Sequence, residues 1–340
     1  MLLVIKQSVA SNPVLKSIIC AAFFLALPFA LLFVYLSLPG YYTIGHDYVK
    51  YAIKDQLTLL FSISKGSFPL FILGYHGGQS SAAQLPTSEI FHPLIWLAYI
   101  IPGYWDGYAL FINTCLRLLS LGVAQLVLYR LFCRLNSPIY WAFICSFIAV
   151  YNLRMLDCFR FGGSLESYTG LLFTCASISY IWLEPCKRKH LLWLVVSGYW
   201  LLNSGHPQMM YYGFIGIGIF AVFLPAICIA MLGTLRPSLK IILRYYMKCC
   251  ACLLLVSLLC APMLVPYYVE YILNNSERVN QDYNWSLAWS DSVMGQFSSF
   301  FFPFKGSIYG NFGGSALMLI AFFIPLFNFS SSGIMFPIRL

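Results

Sequence analysis

The chain has 340 residues, of which 60% are hydrophobic and 9% are charged, and its mean hydropathy is +0.78. Soluble domains carry about 25% charged residues, so this composition excludes a soluble enzyme, a secreted disulfide scaffold and a disordered protein. The net charge of +9 arises from 20 basic residues that form no basic stripe. This scattered distribution of basic residues indicates that they orient the chain in a membrane, and it does not suggest binding to nucleic acid.

Apolar runs predict an all-α fold, a polytopic membrane helix bundle forming a single domain over residues 1–340. A first span follows Lys6 and Lys16; it is too long for a signal peptide and no small-residue cleavage site follows it, so we expect it to be retained. The predicted spans, about eight in number, are 18–38, 107–132, 138–152, 167–183, 190–202, 208–232, 249–270 and 315–329. The apolar segment 91–101 is too short to span and predicts a re-entrant or interfacial helix.

The basic residues predict a cytoplasmic N-terminus. If segment 91–101 does not cross, twelve of the basic residues share the cytoplasmic side, as the positive-inside rule requires. They are Lys6, Lys16, Arg130, Arg134, Lys187, Arg188, Lys189, Arg236, Lys240, Arg244, Lys248 and Arg339. Two large loops, 41–101 and 271–313, are then extracytoplasmic and hold most of the acidic residues. This distribution favours extracytoplasmic chemistry, although longer loops on that side would explain it equally well.

The first outer loop carries the candidate catalytic residue. Asp47 follows His46 shortly after the first span, where a carboxylate can meet a polar headgroup. It could act as a general base or bind a cation; the alternative is a helix N-cap before Tyr48. His46, His76 and His92 lie on this side with several acidic residues, and together they could bind a divalent cation. Their spacing in the sequence is not that of a zinc site. No other cofactor is predicted.

A second candidate, Arg117, lies inside a predicted span. It is about ten residues into segment 107–132, or roughly 15 Å along a helix. An ionisable side chain at that depth is by default a functional-site hypothesis. The structural alternative is a tie to a neighbouring helix through Asn113, Gln125 or a backbone carbonyl.

Several short motifs follow one another in a recognisable order. The first loop contains Asp47, a Gly-x-x-Pro-Leu turn at 66–70, the pair Gly77-Gly78 and a proline-containing apolar segment that begins Phe91-His92-Pro93. Later motifs are Gly205-His206-Pro207-Gln208, Ser276-Glu277-Arg278, and Phe302-Pro303 followed by Tyr309-Gly310. In this order they resemble the bacterial YfhO-type membrane proteins, which are similar to the GT-C class of glycosyltransferases.

The resemblance implies a GT-C-like fold in the bacterial inner membrane. It implies transfer of a sugar from a polyprenyl-phosphate donor to an extracytoplasmic polymer or lipid acceptor, with Asp47 as base or donor-orienting residue. The predicted substrate-binding residues are His46, His206, Gln208, Arg278 and, from its depth in the span, Arg117. Chains of that family usually continue with further spans, so a truncated or inactive member is one alternative. A non-enzymatic lipid-linked sugar flippase or transporter is the other.

Overall fold

The apolar segments of the sequence form helices in the part of the chain that the structure describes. The computed structural model describes residues 13–32, 53–67, 71–72, 79–80, 85, 88–151, 155, 164–205, 207–232 and 238–269. Within these ranges the helices are α1 Pro13–Leu31, α2 Ile53–Ser64, α3 Pro93–Tyr99, α4 Ala109–Arg134, α5 Ile139–Val150, α6 Ser164–Leu183, α7 Lys189–Leu202, α8 Pro207–Leu232, α9 Leu239–Leu259 and α10 Ala261–Tyr267. Two residue pairs, β1 Phe71–Ile72 and β2 Gln79–Ser80, form an antiparallel contact. The predicted loop 271–313 and span 315–329 lie outside the described residues.

One helix start differs from the sequence prediction for a local reason. α9 begins at Leu239, ten residues before the predicted start of its span. The intervening turns carry Lys240, Arg244 and Lys248, which lower the local hydropathy without opposing the helix. Lysine and arginine are good helix formers.

The long helices alternate in direction. At one end of the bundle, Arg134 at the end of α4 lies 4.0 Å from Glu184 after α6, and Lys248 donates to the Pro185 carbonyl at 2.5 Å. We call this the basic end. At the opposite end, the hydroxyls of Ser167 at the start of α6 and Ser204 after α7 are 2.5 Å apart. Because it also holds two buried acids described below, we call it the carboxylate end.

The segment between α1 and α4 leaves and returns at the same end of the bundle. α1 runs antiparallel to α4: Ser17 near its start accepts from Arg130 at 3.4 Å, and Phe24 further along lies 5.0 Å from the Tyr129 ring. α3, with seven residues, is about 10 Å long and too short to span a bilayer. This is the arrangement expected if segment 91–101 does not cross.

Residues 53–67 and 88–108 form a cap over the carboxylate end. The cap shares one apolar core with the bundle, in which Leu59, Ile90, Ile95 and Tyr104 are buried. It contains α2, the turn at 88–92, α3 and a single π-type turn at Tyr104–Tyr108. The first loop therefore packs on the bundle in its described parts.

A glycine allows α1 and α4 to approach closely. A Cβ on Gly122 of α4 would lie 2.5 Å from the Phe24 carbonyl oxygen of α1. Small residues let helix backbones approach in this way, and close packing is a main source of helix association in lipid. Gly122 therefore fixes where α1 rests on α4.

In the part of the chain that the structure describes, three helical stretches are long and apolar enough to cross a membrane: Val14–Leu31, Tyr104–Arg134 and Leu239–Leu259. The same part contains two shorter apolar helical segments, Ile139–Val150 and Gly213–Ile229. The chain is thus helical and has the character of a membrane protein, as the composition predicts.

Candidate functional site

The predicted site residues are only partly covered by the described residues. Asp47, His46, His206 and Arg278 lie outside them. The backbone of Gln208 is the second residue of α8, but its side chain is outside the described part. Arg117 is described completely, and the site below is built from it.

Arg117 is buried in α4 and holds two carboxylates. Its side chain is 2% exposed, and Nη2 donates to Glu89 Oε2 at 2.7 Å. Nε donates to Glu166 Oε1. Beside the functional reading, the sequence offered Asn113, Gln125 or a backbone carbonyl as structural partners of Arg117, and the structure adds two ion pairs with acids that it did not name.

Glu89 reaches Arg117 from the turn of the cap. Its side chain is fully buried, and its backbone has φ 56°, in the left-handed region. That conformation costs a non-glycine residue roughly 1–2 kcal/mol, and such outliers cluster at sites that the surrounding structure holds in place. Here the ion pair with Arg117 and the hydrogen bond from the His92 N–H to the Glu89 carbonyl, 2.8 Å, hold the turn.

Glu166 reaches Arg117 from a helix. It is the third residue of α6, where the positive end of the helix dipole favours a negative charge. Its side chain is 1% exposed. The cluster therefore joins the cap, α4 and α6 at the carboxylate end, and we call Glu89, Arg117 and Glu166 the charge cluster.

The start of the Gly-His-Pro-Gln motif lies against this cluster. Gly205 has φ 84°, and a Cβ there would overlap the Glu89 side chain, with Glu89 Oε1 at 2.9 Å. Only glycine satisfies both the backbone conformation and the space. Two motifs that are distant in the sequence thus meet at one point.

His92 forms the neighbouring part of the site. Its Nδ1 accepts from the Leu94 N–H at 3.3 Å and caps α3, while its ring lies edge-on to Trp200 at 4.6 Å. Burial lowers the pKa of His92 to about 3, and the charge of Arg117 acts in the same direction. His92 is therefore a neutral imidazole, with its ring proton on Nε2.

The charge cluster carries more acid than base. Arg117 is permanently cationic, so among the described residues of the cluster two ionised carboxylates would face a single buried positive charge. Within the described ranges, no group of three or more histidine, cysteine or acidic side chains is arranged to hold a metal ion. The chemistry this cluster can carry out by itself is the binding and release of a proton.

Sequence reasoning located Arg117 but did not connect it to Glu89 and Glu166. The predicted topology puts both acids on the outer side or near that interface, with Glu89 in the loop 41–101 and Glu166 just before the predicted span 167–183. The available signal was physical: a cation buried in a span needs an anionic partner, and the acids nearest to predicted outer span ends were the natural choices. Comparison with family models, with curated proteins and with solved structures finds no match to this chain.

Proposed function

We propose that the chain is a multi-pass protein of the bacterial inner membrane with its N-terminus in the cytoplasm. Support comes from the alternating directions of α1 and α4 to α9, which with span 315–329 would make about eight crossings. Arg130, Arg134, Lys187 and Lys248 gather at the basic end, and basic residues favour the cytoplasmic side. The carboxylate end and the cap would then face outward.

On this framework we propose a GT-C-like glycosyltransferase that moves a sugar from a polyprenyl-phosphate donor to an extracytoplasmic polymer or lipid. One observation carries the proposal: Gly205 packs on Glu89, so the Gly-His-Pro-Gln motif and the first loop meet at the carboxylate end. These segments belong to the ordered motifs on which the resemblance depends. A site at the carboxylate end could take residues from both the first loop and the Gly-His-Pro-Gln motif. The proposed sugar transfer uses residues from both.

The proposed chemistry needs a base and positive charge. Asp47 would accept the proton of the acceptor hydroxyl or orient the donor, and general-base catalysis contributes about 10²–10⁴-fold. Arg278 would bind the donor phosphate, since guanidinium matches phosphate with two parallel hydrogen bonds. His46, His206 and Gln208 would line the sugar. A divalent cation at this acidic face would assist in binding the phosphate.

Arg117 would act in this scheme by positioning. It holds Glu89 of the cap and Glu166 of α6, and Glu89 supports Gly205. Arg117 would therefore fix the first loop relative to the motif of α8.

The test is Asp47→Asn, expressed in cells that lack their own copy, with cell-surface glycans measured by lectin binding and mass spectrometry. The matched control is Asp106→Asn, because Asp106 is exposed in the π-type turn at the same end. We expect the Asp47 variant to lose about 10²–10⁴-fold of the transfer rate and the control to retain it. Unchanged glycosylation in the Asp47 variant, at normal protein level, would remove Asp47 from the mechanism.

A second candidate function, a non-enzymatic flippase or transporter for lipid-linked sugars, is favoured by the buried charge cluster. Ionisable side chains inside a bundle mark transport pathways in many membrane proteins. Purified protein in liposomes separates the two functions. A labelled polyprenyl-phosphate sugar that changes leaflet without transfer supports the carrier, whereas transfer to an added acceptor supports the enzyme. An inactive family member would do neither.

A further inference from the structure

The two acids of the charge cluster share a single guanidinium. Nε of Arg117 donates to Glu166 and Nη2 donates to Glu89. Because both nitrogens belong to the same planar group, the two carboxyl groups are held close to each other in the buried site.

Like charges at such close range in a buried site are not stable together. Two carboxylates that share one site keep a proton between them, since the second ionisation is strongly opposed. We infer that Glu89 and Glu166 form a proton-binding site, in which one carboxylic acid and one carboxylate share a single proton beside Arg117. With that proton the cluster has one positive and one negative charge.

The burial of the cluster fits a proton better than a larger ligand. The side chains of Glu89, Arg117 and Glu166 are at most 2% exposed. In the described part of the chain, no donor lies within hydrogen-bond distance of Glu89 Oε1 or Glu166 Oε2. Glu89 Oε2 and Glu166 Oε1 accept hydrogen bonds from Arg117. Glu89 Oε1 and Glu166 Oε2 are therefore the two oxygens that can share a proton.

The groups that face the pair from the surrounding elements leave the proton to these two acids. From α4 comes Arg117, which keeps its proton. From the cap come His92, neutral as described above, and Tyr104, whose phenol is neutral in this range. The neighbouring segment after α7 contributes Gly205, and the side chain of His206 lies outside the described residues.

Of the two acids, Glu89 is the one able to move. Burial raises the pKa of Glu89, against the charge of Arg117, and the charge of Glu166 raises it further. Glu166 is fixed within the first turn of α6, whereas Glu89 lies in a left-handed turn. Release of the proton to water would leave two negative charges beside one guanidinium, and the repulsion would loosen the turn at 88–92. The site thus couples proton release to opening of the cap, and it does not depend on sugar transfer.

The first test is infrared spectroscopy of the full-length protein in lipid nanodiscs across a pH titration. Because burial also raises the pKa of Asp55 to about 6, the titration and the variants below are made in the Asp55→Asn background, which should show one protonated carboxyl group near neutral pH that disappears on further titration. Glu89→Gln and Glu166→Gln should each lose that signal, because the remaining carboxylate ionises beside Arg117. Glu184→Gln is the matched control: Glu184 binds Lys187 and His190 at the basic end, and its removal should leave the signal intact.

The second test uses wild type alone and so stands even if a variant fails to fold. Hydrogen–deuterium exchange of peptides covering 88–99 should accelerate as the pH rises through the infrared transition, beyond the acceleration seen in α6 peptides. In Glu89→Gln the extra acceleration should vanish. An Asp55→Asn protein without a protonated carboxyl group, a signal that survives in both glutamine variants, or an exchange rate in 88–99 that tracks α6 would each overturn the inference.

Discussion

The charge cluster makes Arg117→Met the most informative single substitution. Methionine approximates the length of the arginine stem and adds no charge. The change therefore removes the guanidinium and leaves Glu89 and Glu166 buried without their cation. We expect a large loss of stability together with a new dependence on pH.

The size of the loss follows from the contacts. Arg117 makes two charge-assisted hydrogen bonds in a site where its side chain is 2% exposed. Hydrogen bonds to charged groups contribute roughly 1.5–3 kcal/mol each, and removing one partner from a buried ion pair costs about 3–5 kcal/mol. The two hydrogen bonds give about 3–6 kcal/mol and the buried pair about 3–5 kcal/mol, so we expect a loss of about 3–5 kcal/mol at neutral pH. At low pH both acids are protonated, so the loss should shrink.

The assay is reversible unfolding of the purified protein in mixed micelles, monitored by fluorescence. Arg130→Met is the control on the same helix: Arg130 is exposed and donates one long hydrogen bond to Ser17, so its loss should cost under about 0.5 kcal/mol. Adding Glu89→Gln and Glu166→Gln to Arg117→Met should recover most of the stability, because no buried charge then remains. An Arg117→Met protein within about 1 kcal/mol of wild type, a value far below the buried-pair cost, would refute this reasoning.

Three further substitutions test other parts of the structure. Gly205→Ala should lower the free energy of unfolding by at least about 1–2 kcal/mol from its left-handed backbone alone. The control is Gly216→Ala in α8, where a Cβ meets nothing within 4 Å, and it should be neutral or stabilising by up to about 1 kcal/mol. Equal effects of the two substitutions in the same micelle assay would contradict the packing at Gly205. Burial raises the pKa of Asp55 from 3.8 to about 6, so the contribution of Asp55 to stability should be fully present below pH 3.8 and fall as the pH rises to about 6, by up to about 3 kcal/mol. Asp55→Asn should remove that part of the fall, as thermal unfolding at a series of pH values will show, and an unchanged pH profile would disprove it. Gly122→Ala should push α1 away from α4, since the added Cβ would lie 2.5 Å from the Phe24 carbonyl oxygen; hydrogen exchange across 14–31 should increase, and protection equal to wild type would count against the close approach.

The helices were largely predictable because apolar length is a local property of the sequence. The predicted span 107–132 corresponds to Ala109–Arg134, and the predicted span 208–232 corresponds to Pro207–Leu232. The start of α9 was missed because Lys240, Arg244 and Lys248 depress hydropathy while leaving the helix intact. A hydropathy window detects a bilayer core and not the helical turns that continue beyond it.

The charge cluster was only partly predictable because its members come from three separate segments. Arg117 is visible from one helix alone, since an arginine in an apolar run is unusual. Its partners depend on how the cap folds back over the bundle and on where α6 begins. Local periodicity predicts neither the folding of the cap nor the start of α6. The residue with the left-handed backbone is Glu89, not a glycine, so the sequence does not indicate a turn of this kind. The placement of Asp47 and Arg278 stays a prediction.

The close approach at Gly122 has a consequence for biosynthesis. The ribosome makes α1 well before α4, so the first helix waits in the lipid without its partner. It can do so because a helix satisfies its own backbone hydrogen bonds and because only 11% of the residues in Val14–Leu31 are buried in the fold. When α4 follows, the Phe24 backbone fits against Gly122, where no side chain is in the way. Shape, more than charge or the expulsion of water, then decides where α1 packs.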